Sequence, residues 1–426
     1  MYHNKNIKLF PIYKLFAYDY ISFYAISTLF LHNIKGISLP NIVLLTSIYC
    51  LFQVLFQIPS SIIVDKIGLK KCIVIGNILC TTGIFTYIIT SGFPQIIIGD
   101  FQIALGFALK GVSESPFLFT IMKKEHLEEN FAKVEAKGSS LYFIVEAFAA
   151  IIAGYLFAVN PYFPVIVCIL AMLTATILSL RFDDIKISNS PKKDESQNSN
   201  YFSDILDSFK FIFRSDRMKA LLLFSCATAG VISVAGSFSK VYMTNIGISS
   251  VTFGYVVSAL SIIAAIGSSY QDKFQSRKKK KTLSYISITY SSVFLFVGIP
   301  HLIRFNTNIL LICGIIVFSL QSFFKGSYRV IMKKYLNNFT SSSIRPKIMS
   351  VYYLSEMLGN TVALFLASKL LGASNIGIAY ILCGAIFLVI ILLVLQYMKS
   401  RIGLKPEQYK KNDILINLNK QDRGIK

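Results

Sequence analysis

Twelve long apolar runs dominate this chain, near residues 11–32, 41–63, 72–91, 94–121, 138–159, 162–181, 218–240, 251–270, 282–303, 308–331, 347–370 and 374–398. Each is close to the roughly 20 residues a helix needs to cross a bilayer core. Inside lipid every backbone polar group must be satisfied internally, which leaves only helices and closed barrels. The runs are continuous rather than alternating, so a barrel is disfavoured and an all-α membrane protein is expected.

Charge refines this. Hydrophobic residues make up 54% of the chain and charged residues 15%, yet the formal net charge is +22. A soluble surface is hard to build from so few charges, since about 25% is usual. A basic balance raises the question of nucleic acid, but no window places a basic face on a soluble domain. The cations alternate between loops instead. The even-numbered gaps between runs hold Lys66, Lys70 and Lys71, then Lys123, Lys124, Lys133 and Lys137, then a basic linker, then Lys273 to Lys281, then Lys333, Lys334, Arg345 and Lys347. The odd-numbered gaps hold only Lys35, Lys240, Arg304 and Lys369. Cytoplasmic loops carry the Lys/Arg excess, so both termini are expected in the cytoplasm of a multi-pass plasma-membrane protein. The partners expected are the lipid bilayer, whose anionic headgroups suit these loops, and a small molecule, with no nucleic acid. The N-terminal MYHNKNIKLFPIYK lacks a small-residue cleavage site and is not read as a signal peptide. The seven cysteines lie within or at the ends of runs with no CxxC pair, which suggests neither zinc nor a disulfide framework.

The chain divides at a polar stretch. Residues 1–182 form a first half with six runs, 183–217 a linker, 218–398 a second half with six runs, and 399–426 a basic tail. Within the linker Phe202, Ile205, Leu206, Phe209, Ile212 and Phe213 recur at helical spacing, which predicts an interfacial amphipathic helix. The halves also resemble each other. Gly36-Ile37-Ser38 matches Gly247-Ile248-Ser249, and Ser60-Ser61 with Asp65-Lys66 matches Ser268-Ser269 with Asp272-Lys273. Lys110-Gly111 matches Lys325-Gly326, and Ser140-Leu-Tyr142-Phe-Ile-Val-Glu146 matches Ser350-Val-Tyr352-Tyr-Leu-Ser-Glu356. In order and at nearly constant offset, these matches imply two parallel six-helix halves, one of the known transporter architectures.

The loop after the second run carries a family resemblance. It reads Ser61-Ile-Ile-Val-Asp65-Lys66-Ile-Gly68-Leu-Lys70-Lys71, similar to the G-x-x-x-D-R/K-x-G-R/K-R/K loop of the major facilitator superfamily, with Ser61 in place of the leading glycine. The preceding LFQIPSS resembles the E-x-P-x-G segment of a drug-exporter-like branch, with Gln57 in place of the acid. The fourth-run segment GFALKGVSESPFL is similar to that branch's S-G-x-x-E-A, with Glu114 at the acidic position. The resemblance implies twelve transmembrane helices in two parallel halves and transport by alternating access. It implies a gating role for Asp65, Lys66, Gly68, Lys70 and Lys71, with Asp65 facing the start of the eleventh helix, whose N-terminal dipole favours an anion.

Charges inside the runs are the candidate site, because an intramembrane charge is costly and points to a partner or a wet path. They are Asp19, Asp100, Lys110, Glu114, Glu146, Lys325, Arg329 and Glu356. Lys110 with Glu114, and Lys325 with Arg329, are spaced to share a helix face. The family lines its central cavity with these two helices, so Glu114 is expected to pair with Lys325 or Arg329 across the halves; a fixed pair within each half is the alternative. Glu146 and Glu356 fall about ten residues into their helices, roughly 15 Å deep, where a carboxyl is suited to carry a coupling proton. Glu114 is a third such candidate. Asp19, on a stretch rich in tyrosine, is placed to meet a cationic substrate or Lys325. Asp100 is expected toward a hydrated end.

No GxxxxGK[ST] is present and the four histidines are scattered, so neither ATP hydrolysis nor catalysis is expected, and no cofactor beyond the proton gradient. The function expected is proton-coupled export of a small amphipathic compound by a monomeric transporter. Proton-coupled uptake of a small, anionic metabolite is the alternative within transport, drawn by Lys110, Lys325 and Arg329. A non-transporting sensor or lipid scrambler on the same fold is the alternative outside it.

Overall fold

The computed structural model describes residues 4–184, 215–271, 273, 281–303, 305–339 and 345–402. The linker helix expected over 202–213 and the basic tail from 403 onward lie outside them. The described residues form thirteen α-helices and no strand. They are α1 (Lys5–Ala17), α2 (Phe23–Asn33), α3 (Leu39–Ile67), α4 (Leu69–Ile89), α5 (Phe93–Lys124), α6 (Phe131–Val159), α7 (Phe163–Leu180), α8 (Asp216–Asn245), α9 (Ser250–Ser269), α10 (Thr282–Leu302), α11 (Thr307–Phe339), α12 (Arg345–Ala373) and α13 (Ile376–Ile402). Eleven, α3 to α13, are long and apolar enough to cross a membrane. Large apolar side chains on their outer faces stand open, among them Phe148 at 65%, Val362 at 67% and Leu393 at 61%. So much exposed apolar surface belongs in lipid rather than water.

The expected first span is not one helix. It starts earlier, at Lys5, and breaks at residues 18–22 between α1 and α2. Polar side chains there compete with the helical ladder. The Asp19 carboxylate accepts from the Tyr20 N–H at 2.7 Å, and the Ser22 hydroxyl donates to Pro164 O at 2.9 Å. Ser22 sits at φ +65°. Two cations assigned to loops are also relocated, because the helices outrun their apolar stretches: Lys240 lies inside α8 and Lys369 inside α12. Lys35 stays in a loop, where its ammonium donates to Ile88 O and Thr90 O at the end of α4.

The chain splits into two compact units. The first is drawn from Met1–Ser38, Ile48–Tyr201 and Ile248–Ala259, the second from Leu39–Ser47, Phe202–Gly247 and Leu260–Lys426. Each therefore follows one half of the chain but exchanges a helix end. In the first unit the start of α9 lies against α6, where Ser250 Oγ donates to Gly154 O at 3.0 Å. A β-carbon at Gly154 would stand 2.5 Å from Ser250 O, so only glycine allows this approach. In the second unit the start of α3 is held to α12, with Ser47 Oγ donating to Thr361 O and Ser368 Oγ to Pro40 O, both at 2.8 Å.

Within the first unit α4 and α5 meet at Gly76 and Gly106, where a β-carbon on Gly106 would lie 2.6 Å from Gly76 O. Such small-residue contacts let membrane helices approach closely, since burial from water no longer drives their association. The second unit uses the same device between α10 and α13 at Gly298 and Gly377. The internal repeat is visible in the backbone as well. Gly36 and Gly247, paired in sequence, both adopt positive φ, +66° and +73°, at the turn after the first and seventh spans.

Candidate functional site

In the first unit the break in the first span is held by a buried charged network. α1 presents Tyr13 and Lys14, α4 presents Asn77, and α5 presents Lys110 and Glu114 one turn apart. The Tyr13 hydroxyl donates to Glu114 Oε1 at 2.6 Å, and Asn77 Nδ2 donates to the Tyr13 oxygen at 3.1 Å. The Lys14 ammonium donates to Glu114 Oε2. Lys110 Nζ lies 4.0 Å from Glu114 Oε1 and donates to Ala17 O, a carbonyl that the break leaves without its helical partner. Glu114 is 4% exposed and Lys110 2%. Phe10, Phe117 and Phe182 close the network off, with the Tyr13 and Phe182 rings 5.2 Å apart.

This corrects the expected pairing of Glu114 with Lys325 or Arg329: its cations, Lys14 and Lys110, come from its own half. Lys14 lies inside the first run, 11–32, but is not among the candidate charges. The helix begins at Lys5, which carries position 14 well inside. Asp100 is also corrected. It is 6% exposed, not at a hydrated end, and takes a hydrogen bond from the Tyr87 hydroxyl.

A second group lies beside the break. Tyr18 stacks on Tyr142 at 4.7 Å, with Phe143 at 5.2 Å from Tyr18. Asp19 and Glu146 are both within electrostatic reach of Tyr142 and of Cys168. The structure thus brings together two predicted residues, Asp19 from the break and Glu146 from α6. The equivalent pair in the second unit is Tyr352 and Glu356 on α12, whose hydroxyl and carboxylate are hydrogen-bonded. One tyrosine lies one turn before one glutamate in each half, as the repeat predicts. Both residues are partly exposed, although the two carboxyl oxygens of Glu146 are themselves buried.

The second unit gathers cations. Lys325 and Arg329 lie one turn apart on α11, and Lys325 is within electrostatic reach of both Arg329 and Lys240 of α8. Arg329 in turn reaches Tyr290 of α10 and Tyr352 of α12. The predicted gating loop is a tight junction: Asp65 and Lys66 lie at the end of α3, Lys70 and Lys71 at the start of α4, and Gly68 alone separates the helices. Asp65, Lys66 and Lys71 are exposed, Gly68 turns the chain at φ +91°, and Lys70 Nζ lies 3.9 Å from Asp184.

The architecture has counterparts among known proteins. The chain is similar to an uncharacterized MFS-type transporter, YxaM, of Bacillus subtilis (strain 168), with 22% identity over 241 residues, 56% of this chain. The match spans 58% of that relative's length. The crystal structure of the nucleoside transporter NupG superimposes with a TM-score of 0.70 at 14% identity, covering 93% of this chain and all of the other. A POT family transporter in complex with 5-aminolevulinic acid gives 0.71 at 14% identity, over 93% and 96% of the two chains. A D-xylose–proton symporter gives 0.69 at 11% identity, over 94% and 98%. At such identities the likeness is one of fold. The family profile of the Major Facilitator Superfamily matches residues 9–320, most of the chain, and the protein belongs to that superfamily of membrane transporters.

Proposed function

We propose that this protein is a proton-coupled secondary transporter. It acts as a monomer in the plasma membrane, with both termini cytoplasmic, and moves a small molecule by alternating access. The observation that carries this reading is the tyrosine–glutamate pair repeated once in each unit, Tyr142 with Glu146 and Tyr352 with Glu356. Each carboxyl lies within an apolar helix; the Glu356 side chain is partly exposed while both Glu146 oxygens are buried, and an acid so placed takes up and releases a proton as water access changes. The structurally similar D-xylose–proton symporter is itself coupled to protons. Glu114, enclosed by two lysines and a tyrosine, serves structure in this reading. Export of an amphipathic compound is the first direction, from the resemblance of the fourth span around Glu114 to the drug-exporter-like branch. Uptake of an anionic metabolite is favoured by the cations of α11.

The test is a melting screen of the purified protein against a compound library, followed by flux of each hit in sealed vesicles under imposed pH gradients. Flux is expected to follow the sign of the gradient and to collapse with an uncoupler; flux indifferent to the gradient overturns the coupling. The same vesicles test the gating loop. Asp65→Asn is expected to slow turnover about tenfold, equivalent to roughly 1.4 kcal/mol of barrier, with melting unchanged. Unaltered turnover and unaltered conformational populations remove the gate.

A further inference from the structure

The break in the first span is held by three helices of its own unit. In an unbroken helix Ala17 O would accept from the Ile21 N–H. Here Ile21 N donates to Asp19 O at 3.1 Å, and the Lys110 ammonium of α5 takes Ala17 O instead. That lysine is built in. Its stem passes over Gly76 of α4, where a β-carbon would stand 2.7 Å from Lys110 Cγ. Its ammonium lies 4.7 Å from the centre of the Phe107 ring and 4.0 Å from Glu114 Oε1. A carbonyl at a helix C-terminus, a ring face and a carboxylate are all partners that suit a cation. The residues that follow are docked one by one. Tyr18 stacks on Tyr142 of α6, and Ile21 packs with Tyr142 and Ala149. Tyr20 meets Phe107 edge-on at 5.4 Å. Ser22, at φ +65°, is fastened to Pro164 O of α7. A residue other than glycine in that region is strained and persists only where its surroundings impose it.

We propose that Lys110 is a positioning residue. Its ammonium is a tethered cation that competes with the helix ladder for Ala17 O, keeps the first span in two pieces, and so holds Tyr18 and Asp19 on the turn of α6 that precedes Glu146. A broken helix is tolerated inside a membrane only where other groups satisfy the freed carbonyls, and a charge-assisted bond does this better than a neutral one. With the ammonium gone, Ile21 N is the donor nearest at hand for Ala17 O, and the strain at Ser22 favours closing the helix. Lys14 does not substitute, because its ammonium sits on the other oxygen of Glu114 and belongs to α1, the piece that has to be held. What the positioned groups do rests on the proton-coupled transporter reading, but the break is tested without flux.

The experiment removes the tether and returns the cation. The parent, Lys110→Ala and Lys110→Gln are purified as full chains in neutral detergent, and backbone hydrogen exchange is followed by mass spectrometry with and without ethylammonium. Lys110→Ala is expected to change exchange over residues 17–24 by about threefold or more, with α4 unmoved, and to melt below the parent. Ethylammonium, which fills the space of the missing stem, is expected to restore both saturably. Tetramethylammonium, a cation without a donor, and propanol, a donor without charge, are expected to restore neither. In vesicles the maximal rate of gradient-driven flux in Lys110→Ala is expected to fall about tenfold or more, and ethylammonium to recover it. Unchanged exchange over residues 17–24, exchange raised throughout the unit instead of at the break, or restoration by propanol as well overturns the proposal. If Lys110→Ala yields no folded protein, Lys110→Gln, which keeps a donor and loses the charge, decides by the same comparison of residues 17–24 with α4. A break restored by ethylammonium with no flux in the parent removes the transporter reading and leaves the role of Lys110. Parent flux with an unmoved break does the reverse.

Discussion

Replacing Glu114 with Gln is expected to destabilise the protein by roughly 3–5 kcal/mol, the scale on which a buried ion pair fails when one partner is removed. The substitution keeps the shape and leaves an oxygen to accept from Tyr13. It removes the anion that Lys14 and Lys110 share at 9% and 2% exposure. Two buried ammonium groups then keep weaker partners, Ala17 O for Lys110 and, for Lys14, the Phe10 and Tyr18 rings with the Glu135 carboxylate within electrostatic reach. A second substitution, Lys14→Met, takes away one stranded charge. The double variant is therefore expected to lie closer to the parent than Glu114→Gln does, with coupling of about 1–3 kcal/mol between sites in direct contact. Melting of the three variants in detergent measures this. A Glu114→Gln variant that melts with the parent but loses flux would assign Glu114 to transport and not to the scaffold.

The opposite pattern is expected at Glu356. Glu356→Gln keeps the hydrogen bond from Tyr352 and the fold, because an uncharged amide replaces a carboxyl that is partly exposed. Flux driven by a pH gradient is expected to fall at least about tenfold, a barrier change of roughly 1.4 kcal/mol or more. Exchange of labelled for unlabelled solute, which needs no net proton movement, is expected to persist. Glu146→Gln is the matched variant in the first unit, and the two together show which half carries the proton. Normal gradient-driven flux in both would end proton coupling through this pair.

Much of the fold was legible because a bilayer sets hard rules. Span length, continuous apolarity and loop charge are read without knowing any contact, and eleven spans fall where hydropathy places them. The repeat was legible at positions where the backbone itself is constrained, as at Gly36 and Gly247. The tyrosine–glutamate pairs follow from one-turn spacing within a single helix. The break at residues 18–22 was not legible, because the run is apolar on both sides and a hydropathy window averages over Asp19 and Ser22. Partner choice failed for a different reason. Spacing shows which residues share a face, but not which helix that face meets. Hence Glu114 was assigned a cation of the other half, while Lys14, near the start of the first run, was left out of the candidate charges.

The exchanged helix ends bear on how the molecule is made. The start of α3 is finished by α12, and the start of α9 by α6. When the first six spans leave the ribosome, the opening turns of α3 lack these partners until α12 is synthesised some three hundred residues later. A chain severed in the linker would yield two fragments that each lack part of their own compact body, so neither is a self-sufficient folding unit. Their assembly would require both to be present in the same membrane.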